Sequence, residues 1–162
     1  MNCLNCAAPL AWTPGSDVLK CQFCGSYRRL TELAKGVDAV VLLDEPTGTN
    51  CPACQTDLQS AAVDGVAARA CSQCHGLLFA ADAFAHLVRS RRAAFDGAER
   101  LPQPLTPERL TGRVNCPGCT RPMDRHPYGG PGNQVIDCCS SCEIVWLDSG
   151  ELAAIEAAPG RR

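Results

Sequence analysis

Six C-x-x-C pairs constrain this chain more than any other feature: Cys3/Cys6, Cys21/Cys24, Cys51/Cys54, Cys71/Cys74, Cys116/Cys119 and Cys139/Cys142. Intervals of 14, 16 and 19 residues join the pairs into couples, and intervals of 26 and 41 residues separate the couples. A C-x-x-C step wraps a tight turn and presents both sulfurs to one ion. Two such turns at opposite ends of a hairpin complete a tetrahedron with Zn–S distances of about 2.3 Å. One isolated pair is weak evidence, but six in register are strong. The expected fold class is a small metal-dominated protein: three tandem zinc ribbons, each a β-hairpin, with short α-helices after the second and third. Twelve cysteines then imply three Zn2+ per chain.

A disulfide framework competes with this reading. The start, MNCLNCAAPLAW, has no basic segment followed by an apolar one. No stretch approaches the roughly 18–20 apolar residues of a membrane span. The expectation is a cytoplasmic chain in a reducing compartment, where cysteine clusters serve as metal ligands. Much of the apolar fraction is alanine, which buries little area. Segments of about 40 residues rarely stabilise themselves without a staple. A structural zinc supplies roughly 10–16 kcal/mol.

The segments between pairs read as hairpins. In module two, 58–63 and 66–70 flank Asp64-Gly65, a strong type I′ signal. Module one has 10–12 and 18–20 around Pro14-Gly15-Ser16, and module three has 123–126 and 134–137 around a Gly-rich loop. Phe84, Leu87, Val88, Arg91 and Phe95 then follow helical spacing, with Asp82 as N-cap. Asp148-Ser149-Gly150-Glu151 reads as an approximate capping box before Leu152 and Ile155. Each helix is expected to pack on its own ribbon. The organisation expected is ribbon 1 over 1–33, a linker with a candidate strand at 37–43 over 34–47, ribbon 2 plus helix over 48–95, a Pro-containing linker over 96–112, and ribbon 3 plus helix over 113–158. Modules closed by separate ions are expected to fold independently.

Module three carries a specific resemblance. Asn115-Cys116-Pro117-Gly118-Cys119, then Met123, then the run from Cys139-Ser140-Ser141-Cys142 through Trp146-Leu147-Asp148-Ser149-Gly150-Glu151-Leu152, resembles the transcription factor IIB-type zinc ribbon family. The family pattern is C-P-x-C, a hairpin, and C-x-x-C-x-G-x-W-L-D-x-G-E-L. Module two, with Cys51-Pro52-Ala53-Cys54 and Cys71-Ser72-Gln73-Cys74-His75-Gly76-Leu77-Leu78-Phe79, keeps the frame, but Leu78 replaces the Trp and the D-x-G-E-L is lost. Module one matches a generic zinc ribbon. The resemblance implies fold and metal; such ribbons occur on many unrelated proteins, so it implies function poorly.

Several motifs are decoys. Cys71-Ser72-Gln73-Cys74-His75 is formally a haem-attachment string, but Cys51/Cys54 stand at ribbon distance upstream. The acidic strand at 40–47 lacks the phosphate loop that would give it an ATPase role. Cys138, the thirteenth cysteine, points away from Cys139 on strand alternation and reads as a small buried hydrophobe beside Ile136. His86 and His126 have no second-metal partner and read as ordinary histidines.

Three function classes remain. A protein-interaction scaffold or adaptor is favoured, with another protein as partner; candidate partner-binding residues are Arg89, Arg91, Arg92, Tyr128 and Trp146. A transcription-related nucleic-acid-binding role is the alternative, opposed by charge. The formal charge is −2, and each zinc held by four thiolates adds about −2, giving roughly −8 when loaded. A rubredoxin-like redox or metal-handling role is the third, because four thiolates bind iron as readily. No enzyme is expected, since four cysteines close each site.

Overall fold

The computed structural model describes residues 3, 5–12, 18–29, 31–32, 40–129 and 132–160. Module one forms a three-stranded antiparallel sheet of β1 (Leu10–Trp12), β2 (Val18–Cys21) and β3 (Tyr27–Arg29). Its expected turn, Pro14-Gly15-Ser16, lies outside the described residues.

A second sheet holds eight strands: β4 (Thr31–Glu32), β5 (Val40–Asn50), β6 (Asp57–Val63), β7 (Val66–Ala70), β8 (Leu77–Ala80), β9 (Asp124–Pro127), β10 (Val135–Cys139) and β11 (Ile144–Leu147). Their order is β4-β5-β6-β7-β8-β11-β10-β9. The β6–β7 turn is the expected one, with Asp64 at φ 48° and Gly65 at φ 79°, the two positive values a type I′ turn requires. Of the candidate strand at 37–43, positions 37–39 lie outside the described residues, and the rest belongs to β5, which continues past 43. β5 runs through Pro46 to the first cysteine of module two, with register shifts on both sides of Pro46. Proline donates nothing to a ladder, so the strand continues past it only as an irregularity.

The central pairing joins modules two and three. Leu77 faces Leu147, Leu78 faces Trp146, Phe79 faces Val145 and Ala80 faces Ile144. Leu78 and Trp146 each stand four residues after the last cysteine of their module, so equivalent positions meet there. Either side of that pair, the third residue after one cysteine faces the fifth after the other. The two modules are thus related by a local pseudo-two-fold axis through Leu78 and Trp146.

Strand alternation gives this sheet two different faces. On one, Leu77, Phe79, Val145, Leu147 and Ile136 form an apolar core with Phe84, Leu87, Val88, Leu152 and Ile155 of the helices. On the other, Leu78, Trp146, Leu58 and Met123 pack among Cys51, Cys71, Cys116 and Cys139. Helix α1 (Ala81–Ala94) touches β7, β8, β11 and α3 (Glu151–Glu156). The expectation that each helix packs on its own ribbon is therefore corrected. α1 buries Phe84, Leu87 and Val88 and α3 buries Leu152 and Ile155 in one core with strands of both modules, so both helices lie over the same shared face.

Capping also differs from the sequence reading. Ala80, not Asp82, is the N-cap of α1, and Asp82 lies in the first turn, its carboxylate accepting from Ala83 N–H at 2.7 Å. The Pro-containing stretch holds a short helix, α2 (Pro107–Thr111), with proline at the start where its missing N–H costs nothing. That stretch is tied down, because Arg100 N–H donates to Ala157 O at 2.7 Å and Asn133 Nδ2 donates to Gln103 O at 3.2 Å. No helix among the described residues is long and apolar enough to cross a membrane.

Candidate metal centres

The C-x-x-C turns share one backbone geometry. Cys51 N–H donates to Thr56 O at 2.7 Å and Gln55 N–H to Cys51 O at 3.0 Å; the same two bonds recur at Cys3, Cys21, Cys71 and Cys116. The residue after the second cysteine is in the left-handed region in all six turns. That residue is Ala7 (φ 59°), Gly25 (73°), Gln55 (64°), His75 (58°), Thr120 (62°) or Glu143 (52°). Only one of the six is glycine, so the turn tolerates this strain five times over. The carbonyl of Glu143 also accepts from Ala81 N–H at 2.8 Å, which locks the sixth turn to the start of α1.

These turns bring twelve sulfurs into three groups of four: Cys3, Cys6, Cys21, Cys24; Cys51, Cys54, Cys71, Cys74; and Cys116, Cys119, Cys139, Cys142. Within each group all sulfurs lie within 4.8 Å of one another. Cross-hairpin separations are 3.5 Å for Cys3–Cys24 and Cys6–Cys21, 3.5 Å for Cys51–Cys74, 3.3 Å for Cys54–Cys71, and 3.6 Å for Cys119–Cys139. A disulfide requires about 2.05 Å. The edge of a ZnS4 tetrahedron is about 3.8 Å for a 2.3 Å bond. The separations fit the tetrahedron, and all thirteen cysteines are free thiols.

The protonation pattern points the same way. The Ser26 hydroxyl, 3.1 Å from Cys24 Sγ, brings that thiol down to about 6. The Thr56 hydroxyl, at 3.3 Å, does the same for Cys54, and the Arg121 backbone N–H, with its side chain, for Cys119. Burial drives Cys51, Cys74 and Cys116 upward, and neighbouring Cys116 and Cys119 push Cys142 up to about 12. Four thiolates in one cradle repel one another until a dication neutralises them. All three cradles suit Zn2+, which adds the bond energy that such short hairpins need.

Residues 50–90 match the family described as transcription factor zinc-finger. Module two is a zinc ribbon of the transcription factor IIB type. No curated protein and no solved structure matches the chain. The matched stretch is the module whose W-L-D-x-G-E-L is missing. The structure gives a physical reason for that departure. Trp146 is 0% exposed and lies at the pseudo-two-fold axis between the second and third metal sites. A Cβ added to Gly76 would overlap the Trp146 ring. The axis has room for one indole, and the zinc ribbon of module two answers it with a glycine and a leucine.

The rest of the motif is structural too. Trp146 Nε1–H donates to Asp148 Oδ1 at 3.1 Å, so this carboxylate is not free to cap α3. Gly150, at φ 83°, makes the turn into the helix. The Glu151 carboxylate reaches back to Asp148 N–H at 2.9 Å, which is half of the expected capping box. Burial, with Asp148 and Asp137 near, pushes Glu151 up to about 8.

The candidate partner-binding residues fall into different settings. Arg89 is exposed on α1. Arg91 pairs with Asp64 at 2.6 Å and with Glu156 at 3.3 Å. Arg92 is buried, and its guanidinium donates to Ile155 O in the last turn of α3 at 2.7 Å and to Ala158 O just beyond the helix at 3.0 Å. Tyr128 is half-buried, its ring edge-on to Phe84 at 5.5 Å. Trp146 is core, and a side chain so enclosed presents nothing to a partner. Cys138 faces Ile136 and the helix-side core as expected, and burial pushes its thiol up to about 11.

Sequence reading missed Gly76, Arg92 as a helix cap, and Arg125 clamping the buried Asp137 through bonds of 2.9 and 2.6 Å. One signal was available for the first. Two residues after its last cysteine module two has Gly76 where module three has Ile144, and four residues after it Leu78 where module three has Trp146, so module two carries the smaller residue at both positions.

Proposed function

We propose that the protein is a non-enzymatic adaptor, built as a tandem of three zinc ribbons and acting through contacts with other proteins. The observation that carries this reading is the engagement of the basic cluster. Arg91 pairs with carboxylates of two elements, and Arg92 lies in the core on carbonyl oxygens. Nucleic-acid affinity comes mainly from cationic groups that displace counterions at phosphates. Of the three arginines, Arg89 alone is exposed, against a loaded charge of roughly −8. Zinc is redox-inert, which gives no support to a rubredoxin-like role, and four thiolates per ion leave no open position for a substrate.

The test uses the zinc-loaded full chain. Chemical crosslinking and tagged recovery from its native host should yield a defined protein partner that survives nuclease treatment. A mobility-shift titration at about 0.15 M salt should show no binding to random duplex or single-stranded DNA. Tight binding there, abolished by Arg89→Glu, would replace the adaptor reading with the nucleic-acid one.

A further inference from the structure

A groove of about 610 Å³ opens where the first turn of α1 meets β9, β10 and β11, beside the third metal site. This lies within the range of pockets that bind small ligands. Its floor is apolar, formed by Ala80, Ala81, Cys138, Ile144 and Val145. Its rim carries Asp82, Asp124 and Glu143, all exposed, and no lysine or arginine lines it. His126 stands beside Asp124, its Nδ1 3.5 Å from the carboxylate. Cys139 and Cys142 also reach the groove, and a zinc with four thiolates carries about −2.

We propose that this groove docks a basic segment of a partner protein, the stem of a lysine or arginine on the apolar floor and its charged head against the rim. The proposal rests on the adaptor reading and names the chemistry of its partner. Charge complementarity selects the occupant. An anion would meet three carboxylates, and the helix start offers it little, because Ala81 N–H is bonded to Glu143 O and Ala83 N–H to the Asp82 carboxylate. A purely apolar segment would cover the floor but strip water from the rim without a partner for it. Long cationic side chains satisfy both parts, since their methylenes bury while the head stays polar.

The experiment measures fluorescence anisotropy of a short labelled peptide of alternating lysine and leucine, with a glutamate–leucine peptide as counterpart, on the zinc-loaded full chain at about 0.15 M salt. The basic peptide should bind and the acidic one should not. Asp82→Lys with Asp124→Lys should weaken binding about tenfold or more. Asp96→Lys with Glu108→Lys makes the same change in net charge at exposed sites outside the groove and should change it less than about twofold. Amide shifts in the unmodified protein should move at Asp82, Asp124, His126, Cys138 and Glu143, a map that holds even if a variant fails to fold. No binding, equal loss in both double variants, or shifts elsewhere would overturn the proposal. A native partner recovered equally by wild type and by the Asp82/Asp124 variant would remove the groove while leaving the adaptor reading intact.

Discussion

Substituting Gly76 by alanine tests the joint between modules two and three most sharply. Gly76 does not have a left-handed backbone, so alanine costs nothing through φ. Its Cβ meets the Trp146 ring, and next the Leu147 carbonyl oxygen at 3.0 Å. Trp146 is fully enclosed and cannot swing away. Overpacking of this kind costs about 1–3 kcal/mol, and the ring's confinement places Gly76→Ala near the top of that range. Trp146→Leu alone opens a cavity and should cost about 2–4 kcal/mol, less than the range for truncation to alanine. In that background the added methyl has space, and only the 3.0 Å carbonyl contact remains, so Gly76→Ala should cost about 1 kcal/mol or less. The double-mutant cycle should then show a coupling of about 2 kcal/mol. The assay is guanidinium unfolding at fixed, buffered free zinc, because bound metal shifts apparent stability by mass action. Far-UV circular dichroism is the readout, since one of the two tryptophans changes. Equal costs of Gly76→Ala in both backgrounds would refute the packing at the axis.

Two further predictions concern side chains that sequence reading placed differently. Arg92→Met should cost about 1–3 kcal/mol by removing the side-chain donor to Ala158 O and one of the donors to Ile155 O, whereas Arg91→Met should cost under about 1 kcal/mol because Asp64 is half-exposed; the same unfolding assay separates them. Glu143→Gly should stabilise the zinc-loaded protein by up to about 1 kcal/mol, relief at φ 52° outweighing the added unfolded-state entropy, and a lower unfolding midpoint would refute this.

The metal chemistry was legible in the sequence because it depends on local spacing. A C-x-x-C turn is specified by its own few residues, and the hairpin at Asp64-Gly65 by its turn dipeptide. The union of two modules was not legible, because it depends on which edge strands meet. β8 reads as an apolar run that any partner could satisfy, and only the register opposite β11 reveals why Gly76 is small. The basic run 89–92 illustrates the same limit. Helical periodicity marks a stripe but not which arginine falls inside it, and the turn of α1 puts Arg92 under the end of α3 while Arg91 reaches out to Asp64. The motif after Cys142 was readable as a family signature, yet its tryptophan belongs to a core shared by two metal sites. The strand through Pro46 was hidden by Asp44-Glu45-Pro46, which locally favours a turn.

Zinc content by native mass spectrometry, on the full chain and two cysteine variants, tests the central claim most directly. The wild type should carry three zinc ions. Cys21→Ser removes a ligand of the module-one sheet, which pairs with no other described strand, and should leave two ions of unchanged affinity. Cys71→Ser removes a ligand of the site that shares Trp146 and its surrounding core with the third site. It should abolish the second ion and weaken retention of the third by about tenfold or more against a competing chelator. A Cys71→Ser protein that holds its third-site zinc as tightly as the wild type, or a wild type with fewer than three ions, would contradict the account.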